Sequence, residues 1–104
     1  MDDIQHTLVA EARVPTKSAR RYLGQLCKHF AHKLPATYEP EFVTGRIEFP
    51  AGVCSLDATA PDLLVMRVTA ANGEDLERLE GVVARHLERF AFRETLAMDW
   101  QAVA

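Results

Sequence analysis

Long apolar runs are missing from this chain of 104 residues. Nothing in it approaches the roughly 20 consecutive apolar residues that a helix needs to cross a bilayer. The opening, Met1-Asp2-Asp3-Ile4-Gln5-His6, is acidic and polar, unlike a secretory signal. Together these absences set the expectation of a cytoplasmic protein without a membrane role. Cysteine is scarce, with only Cys27 and Cys54. In a reducing compartment they are expected as buried free thiols, because free cysteine packs as a small apolar residue. The five glycines are scattered (Gly24, Gly45, Gly52, Gly73, Gly81), so no phosphate-cradling loop is present. Gly-x-Ser-x-Gly, His-Glu-x-x-His and paired Cys-x-x-Cys patterns are absent too. No cofactor and no resident metal is expected. A cationic excess is also lacking. Twelve Lys and Arg stand against fifteen Asp and Glu, for a net charge of −3, which argues against general nucleic-acid binding by phosphate neutralisation.

What the chain does have is the composition of one ordered domain. Hydrophobic residues make up 48% and charged residues 26%, close to ordinary globular values. The length leaves no room for a second core, so residues 1–104 are read as a single domain with its core at about 7–101.

Periodicity supplies the elements. From Thr7 to Val14, Leu8, Ala10, Ala12 and Val14 alternate with Val9, Glu11 and Arg13, the pattern of a half-buried strand. Thr16 is placed to cap a helix from Lys17 to about Lys33, which Pro35 closes. Residues 36–43 are extended but interrupted by Pro40, so they read as an edge strand or loop. Strands follow from Gly45 to Phe49, with Ile47 and Phe49 inward, and from Val53 to Thr59, with Cys54, Leu56 and Ala58 on one face. Another has Leu64, Met66, Val68 and Ala70 on one face. Asn72-Gly73 opens a second helix whose first turn carries Glu74, Asp75 and Glu77, where the helix dipole favours negative charge. Leu76, Leu79, Val83, Leu87 and Phe90 form its apolar stripe. Leu96, Met98 and Trp100 then alternate with Thr95, Ala97 and Asp99, which predicts a terminal strand, with a continued helix as the competing reading. The order is β-α-β-β-β-α-β, or one strand more if residues 36–43 pair. The economical arrangement is an α+β two-layer sandwich, a mainly antiparallel sheet with both helices on one face.

The densest chemistry lies in Leu26-Cys27-Lys28-His29-Phe30-Ala31-His32-Lys33. As letters this suggests one metal or nucleophile site. On a helix it divides. Successive residues turn by about 100°, which puts Cys27 about 80° to one side of the stripe formed by Ala19, Tyr22, Leu23, Leu26 and Phe30, and His29 about 80° to the other. Cys27 therefore does not converge with the histidines, whereas His29 and His32 share a flank. Lys28, His29, His32 and Lys33 before Pro35 also suit the negative end of the helix dipole, at about 0.3–1 kcal/mol each. Beyond that stabilising role they form a candidate anion- or partner-binding surface, with Arg46 and Arg93 as further donors. A metal-dependent or thiol enzyme using His29, His32, His86 and Cys27 is the competing reading. A third is a structural module that dimerises through the charged sheet face of Glu11, Arg13, Arg46, Glu48, Asp57 and Arg67. Glu77, Glu80 and Glu88 are expected as surface ion pairs with neighbouring arginines, and Trp100 as a core or edge anchor.

Three blocks carry a family resemblance: Arg21 to Lys33 (RYLGQLCKHFAHK), Gly45 to Cys54 (GRIEFPAGVC) and Arg85 to Glu94 (RHLERFAFRE). In this order, and over about Leu8 to Trp100, the chain resembles the bacterial domain of unknown function 2218. That family has no assigned activity and no agreed catalytic residues to carry over. The resemblance implies a small two-layer fold of the TATA-binding-protein type, also seen as the C-terminal domain of phosphohexomutases. Some relatives stand beside, or are fused to, siderophore-interacting flavin reductases. The resemblance thus implies an accessory or binding domain in iron-siderophore use, with a siderophore-interacting protein or a small anionic ligand as its partner.

Overall fold

The computed structural model describes residues 7–103; the polar opening Met1 to His6 lies outside the described residues. Eight elements follow one another: β1 (Leu8–Pro15), α1 (Ala19–Phe30), β2 (Ala36–Glu39), β3 (Thr44–Phe49), β4 (Gly52–Asp57), β5 (Leu63–Ala70), α2 (Gly73–Phe90) and β6 (Gln101–Val103). The six strands form one sheet in the order β2-β3-β4-β5-β1-β6, and every neighbouring pair is antiparallel. Four strands thus lie between the helices, not three: residues 36–39 do pair, as an edge strand with Pro40 just past its end.

Strand directions explain the helices. Counting across the antiparallel pairs, β1 runs the same way as β2, and β5 the same way as β6. A hairpin cannot join strands that run the same way, so each of these links is a helical crossover. Helix α1 packs on β2, β3 and β5, helix α2 on β5, β1 and β4, and the helices touch each other. Both cover the face that carries Ala10, Ala12 and Val14, Ile47, Cys54 and Leu56, and Leu64, Met66, Val68 and Ala70, all buried. The alternating residues of the sequence are this core face, because a strand turns every second side chain the same way.

Several boundaries differ from the sequence expectation (β4, for instance, ends at Asp57 and not Thr59), and three of them say most about the fold. Helix α1 spans Ala19–Phe30, shorter than Lys17–Lys33 at both ends. At its start Thr16 is not the N-cap. Its hydroxyl oxygen accepts from the Ser18 N–H (3.1 Å) and donates its own proton to the Glu94 carboxylate. At its end the Lys33 and Leu34 N–H groups both bond the Phe30 carbonyl (3.0 and 2.8 Å), and this turn carries the chain into β2. Helix α2 opens as read, with the Asn72 side chain accepting from the Asp75 N–H at 2.8 Å. The third difference is at the C-terminus. Residues 95–100 alternate in exposure as predicted, and Leu96, Met98 and Trp100 pack against the core. The ladder forms only at Gln101–Val103, opposite Glu11, Ala10 and Val9.

Among the described residues two that are not glycine adopt left-handed backbone conformations, Val43 (φ 54°) and Asp62 (φ 56°). Each closes a turn and gives its carbonyl to another segment: Val43 to the Ala58 N–H (3.0 Å), Asp62 to the Thr16 N–H (3.1 Å). Those bonds offset the steric cost of φ > 0 for residues with a Cβ.

Candidate functional site: an imidazole cleft between the helices

Cys27 and His29 leave α1 in opposite directions. The Cys27 side is closed. Cys27 is 1% exposed, and a Cβ added at Gly45 on β3 would fall within contact distance of its Sγ, so the glycine is what lets the thiol seat against the sheet. Both cysteines are free and buried. Burial pushes the Cys27 thiol up to about 11 and the Cys54 thiol up to about 12, so neither presents a thiolate near neutral pH. The reading of Cys27 as part of a thiol enzyme loses its basis, since the sulfur meets neither solvent nor imidazole.

The His29 side is open. The His29 ring lies 5.1 Å from the His86 ring of α2, centroid to centroid, 5.2 Å from Phe30 and 5.7 Å from Phe90. Phe30 in turn lies 4.7 Å from His86 and 5.1 Å from Phe49. Edge and tilted contacts of this kind are the favoured geometries of aromatic pairs. Between the helices a cleft of about 490 Å³ is lined by His29, Phe30, His32, Lys33, Leu34 and His86. Its walls are apolar at Phe30 and Leu34 and basic at His29, His32 and Lys33. Among the described residues no carboxylate lines it. Desolvation holds the His29 pKa below its ordinary value, and the charges of His86, Arg89, His32 and Lys33 push it the same way. The His86 Nδ1 lies 2.7 Å from the Val82 carbonyl oxygen, one turn back on α2.

The remaining candidate residues lie elsewhere. Lys28 sends its ammonium over the Tyr38 ring on the edge strand (5.7 Å). Arg46 belongs to the uncovered face of the sheet, 3.8 Å from Glu48. Arg93 follows α2 with its guanidinium over the exposed Phe92 ring (5.4 Å). Of the basic set, the structure gathers His29, His32 and Lys33 and adds His86 from 53 or more residues downstream. Among the described residues no three His, Cys, Asp or Glu side chains converge as a metal-holding group.

On the uncovered sheet face, register places Glu11 opposite Arg67. Arg67 donates to Glu11 through Nη2 (2.6 Å) and Nε (3.2 Å), and Arg13 approaches from the other side (3.4 Å). The bond from Arg67 is the main reason the Glu11 carboxyl sits below its usual range, with Arg13 adding to it. On α2 the expected pairs of Glu77, Glu80 and Glu88 do not form. Among the described residues the helix carries one ion pair, Arg78–Asp75 at 3.9 Å. The three glutamates border a shallow groove beside Met98 and Trp100. Burial, then Glu77, raises the Glu80 pKa.

One cluster has no local sequence signal. Tyr22, 2% exposed, donates its hydroxyl to Glu94, which also accepts from Thr16. The clasp ties the start of α1 to the turn after α2 across 72 and 78 residues. Burial and the Glu94 carboxylate raise the Tyr22 pKa.

An antiparallel six-stranded sheet with two helices on one face and an imidazole-lined cleft between them makes this a two-layer α+β domain. The sequence profile of the family described as "Uncharacterized protein conserved in bacteria (DUF2218)" matches residues 11–101. The chain belongs to that family. It is similar in fold and sequence to PA4090 from Pseudomonas aeruginosa, solved by NMR. The two are 37% identical, over 90% of this chain and 95% of that one, with a TM-score of 0.75. Comparison with curated proteins gave no match.

Proposed function

We propose that the domain is a binding module, not a catalyst, and that its ligand is a small anion held in the cleft between α1 and α2. The observation that carries this is the cleft's one-sided electrostatics: His29, His32 and Lys33 around an apolar floor, with no carboxylate in the lining among the described residues. A concave site of one charge sign with low-dielectric walls concentrates ligands of the opposite sign. Its volume also falls in the range of small-molecule sites, about 300–1,000 Å³. The resemblance to domains found beside siderophore-interacting flavin reductases supports iron-siderophore handling as the setting, with the siderophore or the reductase as partner. Two unpaired buried thiols fit a reducing, cytoplasmic place of action.

Thermal unfolding in the presence of ferric siderophores, citrate and inorganic phosphate tests the reading, since a ligand bound only by the folded state raises apparent stability. An anion is expected to raise Tm by several degrees at low salt, less at high salt, and not in the Lys33→Glu variant. If no anion raises Tm, or if the rise survives Lys33→Glu undiminished, the cleft is not an anion site.

A further inference from the structure

We infer that the anion is a hydroxylated aromatic acid, of the hydroxybenzoate class, whose hydroxyl donates to His86 and whose carboxylate faces Lys33. This rests on the cleft being the binding site, and it goes further by assigning a role to each wall.

The first argument is the tautomer of His86. A carbonyl oxygen only accepts, so the 2.7 Å contact with the Val82 carbonyl places a hydrogen on Nδ1. In the neutral ring the other nitrogen, Nε2, then has a lone pair and no hydrogen. Among the described residues that nitrogen has no hydrogen-bond partner, and His86 lines the cleft. A ligand seated against it must donate. A bare carboxylate or sulfate has nothing to donate, and a hydroxyl has. The second argument is shape. His29, Phe30 and His86 meet with centroid separations of 4.7–5.2 Å. Planar rings at the border of a cleft favour a planar aromatic occupant, through edge-to-face and offset contacts. The third is charge. Lys33 supplies an ammonium that pairs with a carboxylate. Desolvation, with the Arg89 and Lys33 charges, biases His29 toward its neutral form, which leaves Lys33 as the ammonium for the carboxylate.

Calorimetric titration of the full chain with the three hydroxybenzoate isomers, benzoate, cyclohexanecarboxylate and inorganic phosphate separates these arguments without any variant. The best hydroxybenzoate is expected to bind roughly five- to tenfold tighter than benzoate, the worth of about one hydrogen bond. Benzoate is expected to bind tighter than cyclohexanecarboxylate. In His86→Phe the preference for the hydroxyl should vanish while benzoate still binds, which also shows that the variant is folded. Equal affinity for benzoate and every hydroxybenzoate, or a hydroxyl preference that survives His86→Phe, would overturn this inference and leave the anion site standing. If phosphate binds and no aromatic acid does, the aromatic assignment falls alone. If none of the six compounds binds, the anion site falls with it.

Discussion

Cys27 and His29 are two residues apart on one helix, and their surroundings have little in common. On the Cys27 side the partner is a sheet, continuous and close, and a glycine removes the one Cβ that would hold the helix off. On the His29 side the partner is another helix. Two cylinders touch along a line and splay beyond it, so water and ligands reach the seam. Nucleophilicity is suppressed where packing is complete, and polar chemistry is left available where packing is incomplete. The lesson extends to the uncovered sheet face, where Arg67 and Arg13 are engaged with Glu11 and hold less of their charge ready for a ligand.

Chemical modification gives the widest test of this contrast. Thiol reagents are expected to label Cys27 and Cys54 in the folded protein at least about a thousandfold more slowly than in denaturant, because reaching them takes an opening on the scale of global unfolding. Imidazole acylation of His29 and His32 should run near the rate of exposed histidine. Labelling of Cys27 as fast as the histidines would erase the distinction between the flanks.

A smaller effect is expected from filling the closed side. Gly45→Ala puts a methyl group against the Cys27 sulfur, and overpacking of this kind typically costs about 1–3 kcal/mol. Urea unfolding should show that loss, and the double variant Gly45→Ala/Cys27→Ala should recover most of it. If the single variant is as stable as the parent, the helix is not seated on the glycine.

The smallest effect belongs to the open side. His29→Gln should change stability by no more than about 0.5 kcal/mol at pH 7.5, as surface substitutions do. Its signature is in the pH dependence. The His29 pKa is lower in the folded state than the ordinary value of 6.5, so the unfolded chain takes up the proton first. The stability associated with neutral His29 is present above about pH 6.5 and is lost as pH falls through that value and the lower folded one. The fall of Tm between pH 7 and 5 should therefore be shallower in His29→Gln. A steeper or identical fall would mean that the ring is not desolvated among its cationic neighbours.

Much of the architecture was legible because each of the four inner strands, β1, β3, β4 and β5, has one buried face. Leu64, Met66, Val68 and Ala70 could be read as a core row from their spacing alone, and all four are buried. The separation of Cys27 from His29 was legible for a similar reason, since helical geometry fixes directions within a few residues. The ends of α1 were not. Thr16 looks like a cap from its neighbours, but its hydroxyl is engaged by Glu94, 78 residues away. The last strand was misplaced by a few residues for a related reason. Alternation reports which side chains turn inward, whereas a ladder also needs a free strand edge, and pairing with β1 is confined to Val9–Glu11.

The candidate site divides in the same way. The basic cluster at the end of α1 is visible in the letters, and so is the weakness of a Cys-His motif. That Lys28 and Arg46 point elsewhere, and that His86 completes the cleft, depends on how α2 lies against α1. The sequence by itself determined the periodicities, and with them the two layers, the buried faces and the direction in which each residue leaves its own element. Only the tertiary structure decided which of those directions meet. That choice rests on contacts between residues far apart in the chain, such as His29 with His86 and Tyr22 with Glu94, and local propensity carries no record of them.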